Sequence, residues 1–309
     1  MSELAEKEAR AIDLLRKLSS EDPLYIAYSG GKDSDVIRIL AEKSGANYEL
    51  HHNLTTVDAP ETVYYVKKYV KDEFIHRPKR SMWQLIVDQG MPPTRIARYC
   101  CAELKEGGGV GQRTVTGVRW SESAKRRKNH GLFTIIGKER NTMQIAEGES
   151  APFVKAGRGV VLNNDNAESR RVVEMCYRTR KTMINPIIEW TDKDVWEYLH
   201  ANGCGANPLY QRGWKRIGCI GCPLGGGKRM KAELTEYPKY KAAYTRAFER
   251  MCKAREAKGK LHGFFTNGES VMKWWVGDDP FQITVEEWLA FEEEQRAIMD
   301  EYSLPLDRG

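Results

Sequence analysis

Ser29-Gly30-Gly31-Lys32-Asp33-Ser34 follows the short apolar run Leu24–Tyr28 (LYIAY) and opens a segment of helical periodicity from Ser34 to about Ser44. A strand that runs into two glycines and leaves as a helix can bring backbone N–H groups close to phosphate oxygens. The helix N-terminus adds a positive end, and Lys32 adds a mobile cation. An ordinary glycine turn would need none of the Ser, Lys and Asp that surround the glycine pair. The GxxxxGK[ST] spacing of a Walker A loop is absent. The stretch therefore reads as a phosphate loop of another kind, with Ser29, Gly30, Gly31, Lys32, Asp33 and Ser34 as its binding residues.

Working outward, strands and helices alternate. Tyr48–Asn53 is a second strand. Pro60–Lys71 is a helix with Pro60 near its first position and Val63, Val66 and Val70 along one face. Phe74–Ile75 is a third strand, Met82–Asp88 a helix and Thr114–Val118 (TVTGV) a fourth strand. The pattern predicts an α/β fold: a doubly wound parallel sheet with helices on both faces, plus helical additions at each end. Ligands on such sheets bind beyond the carboxyl ends of the strands. Thr191–Asn202 (TDKDVWEYLHAN) is a capped helix, with Asp192 and Asp194 favouring its positive end. Residues 124–180 are basic and polar, including the run Lys125, Arg126, Arg127 and Lys128, and form an excursion from the sheet. The expected division is a domain over 1–225 and a helical extension over 226–309, whose last helix, about Val285–Tyr302, is acidic.

Composition narrows the function classes. The chain has 309 residues, 41% hydrophobic and 30% charged, with a formal net charge of +6. Mean hydropathy is −0.60, and no apolar run approaches the ~20 residues that span a bilayer. That excludes a polytopic membrane protein. The opening MSELAEKEARAIDLLRKL places Leu and Ile at helical spacing among charges and lacks a signal-peptide core, so a cytoplasmic location is expected. The positive charge suits an anionic ligand or a nucleic acid.

Seven cysteines stand unevenly: Cys100-Cys101 adjacent, Cys219-x-x-Cys222, and Cys176, Cys204 and Cys252 alone. Each of the two pairs can present two thiolates to one compact centre, and soft sulfur ligands select iron–sulfur or zinc. The ligand types leave both open. The three lone cysteines read as buried or bystander thiols, with Cys176 in MCYRTRK the one candidate reactive thiol. His51 and His52 end a strand at the ligand-binding edge, where one could touch nucleotide, with a structural role the commoner outcome. Trp190 and Trp196 pack in the core, and Trp274-Trp275 make an interdomain or partner contact.

SGGKDS after a strand resembles the PP-loop of the adenine nucleotide alpha-hydrolase superfamily. Further matches resemble the phosphoadenosine phosphosulfate reductase family within it. They are Gly117-Val118-Arg119 with Glu122-Ser123 and Arg126, Asn185-Pro186-Ile187 with Trp190 and Asp194-Val195-Trp196, and Asn207-Pro208-Leu209-Tyr210 before Arg216-Ile217-Gly218-Cys219. The resemblance implies an adenine nucleotide, ATP or a sulfated one, held by the loop with Gly117, Arg119 and Arg126. Lys32, Asp33 and Arg119 would be the catalytic groups, with Asp33 positioning Mg2+. Cys100-Cys101 and Cys219-x-x-Cys222 followed by Pro223 resemble the pattern of assimilatory adenylylsulfate reductases, which implies a 4Fe–4S cluster on these four thiolates, with Zn2+ as the alternative.

Two departures from the reductases bear on activity. Those enzymes use a cysteine in a short C-terminal tail as nucleophile, whereas Leu304–Gly309 has none. Their loop also usually lacks the Lys, whereas Lys32 is kept here. The implied activity is therefore ATP cleavage to AMP and pyrophosphate with sulfur transfer to an acceptor such as a nucleic acid, assisted by a sulfur-donor protein. A divergent sulfonucleotide reductase releasing sulfite and a non-catalytic ATP-binding subunit of a DNA-modification complex are the alternatives. A homo-oligomer or a subunit of a complex is expected, with no membrane partner.

Overall fold

Leu24–Ala27 forms β1, and the chain leaves it through the two glycines into α2 (Lys32–Ser44), after an N-terminal helix α1 (Glu3–Lys17). The computed structural model describes residues 2–136, 153–156, 159–162, 181–259, 265–278 and 285–302. Helix α2 starts two residues earlier than its apolar periodicity predicts. Gly31 is its extended N-cap, and the Ser34 hydroxyl closes the first turn on both the Gly31 N–H (3.1 Å) and the Gly31 carbonyl (2.8 Å). Its far end stops at Gly45, whose φ of +67° is the left-handed conformation of a glycine C-cap.

The described residues divide into two units. The first comprises Met1–His52, Pro60–His76 and Gly108–Ile217. Its strands are β1, β2 (Tyr48–Asn53), β3 (Ile75–His76), β4 (Arg113–Val115), β5 (Phe133–Ile136), β6 (Phe153–Ala156), β7 (Gly159–Leu162) and β8 (Lys181–Ile184). They lie in the order β3-β2-β1-β4-β8-β5-β7-β6. Strands β2, β1, β4 and β8 are parallel, with Leu24 opposite Tyr48, Tyr25 opposite Thr114 and Thr114 opposite Met183. Leu24, Ile26, Val115 and Ile184 are fully buried, as a sheet covered on both faces requires. The predicted parallel α/β core is therefore present. From β8 outward, β5, β7 and β6 pair antiparallel, a wing that the strand–helix alternation gave no reason to expect.

Three local boundaries differ from the sequence reading. The third strand is Ile75–His76, because Asp72–Phe74 is taken up by a 3-10 turn. The fourth is Arg113–Val115, one residue earlier and shorter. Helix α3 is Pro60–Val66, and beyond it the bonds Lys68 N–H to Tyr65 O and Tyr69 N–H to Val66 O tighten the chain into turns. Helix α6 (Ala124–Asn129) opens the basic stretch 124–180. Where described, that stretch is not an excursion from the sheet, since it supplies β5, β6 and β7; the rest, including Cys176, lies outside the described residues. Helix α7 (Asp192–Ala201) has the predicted Thr191 cap.

The second unit comprises Asn53–Ala59, Arg77–Gly107 and Gly218–Gly309. It holds α4 (Met82–Gln89), α5 (Tyr99–Leu104), α8 (Gly227–Glu236), α9 (Pro238–Glu256), α10 (Gly268–Val276) and α11 (Val285–Glu301). Leu85, Ile86, Tyr244, Phe248, Met251 and Val271 are buried within it. Trp275 packs on Tyr244 and Phe248, and its indole N–H donates to the Pro93 carbonyl at 2.6 Å. That corrects the reading of Trp274-Trp275 as an interdomain or partner contact: Trp275 is core of this unit. No described helix is long and apolar enough to cross a membrane.

Candidate functional site

The phosphate loop is fixed by steric and polar contacts together. Gly30 has φ +71°, and a Cβ there would stand 2.9 Å from the Val66 side chain, so a larger residue is excluded twice. Buried Asn207 donates to the Gly30 carbonyl (3.1 Å) and to the Thr62 hydroxyl (3.2 Å), while its own carbonyl oxygen caps Leu209. That bond starts the turn Pro208–Tyr210, which sends the Tyr210 hydroxyl to accept the Lys32 N–H at 2.9 Å. Tyr210 stands edge-on against Trp196, 5.0 Å between ring centres. Burial, with the nearby Asp33, Asp35 and Asp192 charges, pushes its pKa up, so the hydroxyl stays protonated. The sequence marks Asn207 and Tyr210 only as parts of a motif; their task as a clasp on the loop depends on long-range contacts.

Next to the loop, two cations and two carboxylates form a closed network. Lys32 Nζ lies 3.3 Å from Asp33 and 3.1 Å from Asp192. Arg119, 1% exposed, donates to Asp33 at 2.8 Å, to Asp192 at 3.0 Å, to the Ser121 hydroxyl at 2.9 Å and to the Trp190 carbonyl at 3.3 Å. Gly117 makes this approach possible, since a Cβ would sit 2.9 Å from Asp33 Cβ and 3.0 Å from its backbone carbonyl carbon. Partial burial works against Asp192 ionisation, but hydrogen bonds and charge from Lys32 and then Arg119 overcome it and hold the carboxyl below its ordinary value. Arg126 pairs with Glu122. Its pKa is lowered by burial first, then by the charges of Arg216 and Arg119. Like charges gathered in this way favour an anion between them. The structure thus brings Ser29, Gly30, Gly31, Lys32, Asp33, Ser34, Gly117, Arg119 and Arg126 into one neighbourhood. It adds Asp192, which the sequence reading treated only as a helix-end charge.

The four cysteines read as a metal centre, Cys100, Cys101, Cys219 and Cys222, all lie in the second unit as free thiols. Cys100 is raised by its hydrogen bond to Cys101, by burial and by the charges of Cys101, Cys219 and Cys222, so the four are electrostatic neighbours. Cys101 is drawn down by the Cys100 hydrogen bond and, against burial, by Arg98 and Lys105. Lys105 is raised by the Cys219 charge above all, against desolvation. Cys219 also bonds to the Thr55 hydroxyl at 3.5 Å. Among the described residues, no group of three or more His, Cys, Asp or Glu stands at metal-binding spacing. Cys100 and Cys101 are bonded to each other, and Cys219 to Thr55. In donor chemistry, four soft thiols flanked by two cationic side chains do fit a soft-metal centre.

The phosphoadenosine phosphosulfate reductase domain matches residues 23–225 of this chain. The chain belongs to that family. An uncharacterised protein of Methanocaldococcus jannaschii is 26% identical over 200 residues, covering 64% of this chain and 40% of that protein. A second protein of the same organism is 26% identical over 221 residues, 70% of this chain and 39% of that one, so the chain spans well under half of either relative. The adenosine 5'-phosphosulfate reductase of Anoxybacillus flavithermus is 38% identical over 64 residues, 20% of this chain and 27% of that enzyme. A solved phosphoadenylyl-sulfate reductase of Candida auris covers 71% of this chain and 96% of its own, at 16% identity and a TM-score of 0.42.

In this phosphoadenosine phosphosulfate reductase-family chain the weaker sequence candidates resolve into structure. His51 is buried, stacked on Tyr25 at 3.9 Å and bonded to His76 (2.9 Å) and Glu49 (3.1 Å). His52 bonds to the Tyr28 carbonyl at 2.8 Å. Both are structural histidines, as expected. Trp190 is buried core and Cys252 is buried, whereas Cys204 is half-buried.

Proposed function

We propose that this chain is an ATP-using PP-loop enzyme that transfers sulfur to an acceptor. The observation that carries the proposal is the complete loop with Lys32 and Arg119 side by side at the N-terminus of α2, two buried cations where a pyrophosphate leaving group would lie. Loop N–H groups, Lys32 and Arg119 stabilise the charge that grows on the leaving pyrophosphate, the usual main electrostatic contribution. An acceptor hydroxyl attacks the α-phosphorus, pyrophosphate leaves and the hydroxyl proton passes to solvent. A sulfide-level nucleophile from a donor protein then displaces AMP, leaving the acceptor sulfur-bearing. Asp33, bonded to Lys32 and Arg119 from the first turn of α2, would position Mg2+. Cys100, Cys101, Cys219 and Cys222 would hold a 4Fe–4S cluster, with Zn2+ the alternative; such a cluster supplies soft-ligand and electron-transfer chemistry. Exposed Arg127 and Lys128 on α6 fit a nucleic-acid acceptor.

The test is conversion of ATP to AMP and pyrophosphate by the purified chain with its acceptor, and its loss in Lys32→Ala. A protein that reduces adenylylsulfate with thioredoxin but leaves ATP untouched overturns the reading. Similarity to adenosine 5'-phosphosulfate reductases favours a second reading, a sulfonucleotide reductase, for which release of sulfite is the deciding measurement.

A further inference from the structure

We propose that Asp192 is an internal competitor for the ligand's phosphate: its carboxylate holds Lys32 and Arg119 and gives them up when a pyrophosphate group enters the loop. The inference rests on the phosphate-loop reading above. A single oxygen, Oδ1, takes both cations, Lys32 Nζ at 3.1 Å and Arg119 Nη2 at 3.0 Å. A bound phosphate oxygen bridges two cations in the same way.

Helix α7 does not need this carboxylate. Its cap is closed by Thr191 and Asp194, through Asp194 N–H to the Thr191 hydroxyl (3.2 Å) and Thr191 N–H to Asp194 Oδ2 (2.8 Å). Asp194 is further held by Lys7 at 2.9 Å. The pairing with the two loop cations is therefore what distinguishes Asp192 from its neighbour.

Exposure makes the exchange cheap in one direction. The Asp192 side chain is 64% exposed, against 9% for Lys32 and 2% for Arg119. The carboxylate can turn into water and regain its hydration, while the cations stay where they are. Asp33 cannot do this as easily. It is 22% exposed and bonded to Arg119 Nε at 2.8 Å from the first turn of α2. A pyrophosphate brings more charge and more acceptor oxygens to the same two cations and to the helix end.

Removing the competitor should therefore strengthen anion binding. Calorimetric titration of the full chain with inorganic pyrophosphate and with ATP compares wild type with Asp192→Asn. The variant should bind both roughly three- to tenfold more tightly, the sum of two partly exposed ion pairs. Asp194→Asn removes the same charge from the same helix end without touching the cations; it should bind within about twofold of wild type and melt at a lower temperature. If wild type binds and Asp192→Asn binds no better, the inference is overturned and Asp192 merely positions Lys32 and Arg119. If neither protein binds pyrophosphate, ATP or adenylylsulfate, the phosphate-loop reading falls and this inference falls with it.

Discussion

Gly117 illustrates how one missing methyl group sets the site. The Cβ of an alanine would meet Asp33 on both its side chain and its backbone, neither of which can give way without moving the first turn of α2. Gly117→Ala is therefore expected to cost about 1–3 kcal/mol by overpacking, measured by urea denaturation, and to weaken ATP binding at least tenfold in a titration. Unchanged affinity would mean that the loop tolerates a shifted Asp33. A second residue of this kind is Asp35, fully buried and bonded by the Tyr28 hydroxyl at 2.6 Å and the Tyr65 hydroxyl at 3.0 Å. Burial raises its pKa, against those two donors. Tyr28→Phe leaves one carboxyl oxygen short of a donor and should destabilise the chain by about 1–3 kcal/mol without altering which nucleotide binds. A stability change below half that, read by the same denaturation, would show that water replaces the hydroxyl.

Helix α7 links element stability to pH. Thr191 and Asp194 close its capping box, and Asp192 and Asp194 both titrate below their ordinary value of 3.8. For each, partial burial raises the pKa and is outweighed. The hydrogen bond and charge of Lys32 outweigh it at Asp192, and the Thr191 backbone bond with Lys7 does so at Asp194. Their folded-state pKa values are depressed, so the stability they add is complete above 3.8 and lost as pH falls through the folded values. Melting temperature should hold steady from neutral pH to about pH 5 and fall below pH 4. Asp192→Asn should flatten part of that fall; an acid limb of equal slope in the variant would assign the loss to other carboxylates. The cap itself was legible in the sequence, because Thr followed three residues later by Asp is a local signal. The partners that give Asp192 its meaning, Lys32 and Arg119, are distant in the chain and left no local trace. The same division holds for the sheet. Apolar runs and glycine turns announced β1, α2 and the parallel core, but nothing in the spacing of β5 or β8 encodes that they pair antiparallel.

At the scale of the molecule, the two chemistries read from the sequence fall in different units, the phosphate loop in the first and all four paired cysteines in the second. The phosphate loop was legible because its residues are contiguous; the thiols were legible as two pairs, and the choice of cluster or zinc on them came only from the resemblance. Cys100 is bonded to Cys101 and Cys219 to Thr55, and metal analysis tests the centre directly. Anaerobic purification of the full chain should give a brown protein with about four iron and four sulfide per chain. Cys101→Ser, which replaces the thiol most favoured as thiolate, should lose most of that iron and the visible absorbance. Melting in the presence and absence of an iron chelator adds a readout independent of activity, since a centre that ties α5 to the Cys219–Cys222 segment must stabilise the unit that contains both. A colourless wild type with one zinc would keep the four-thiolate site and replace the cluster by a structural ion. A metal-free protein whose melting point ignores Cys101→Ser would remove the metal centre altogether and leave the cysteines as free thiols.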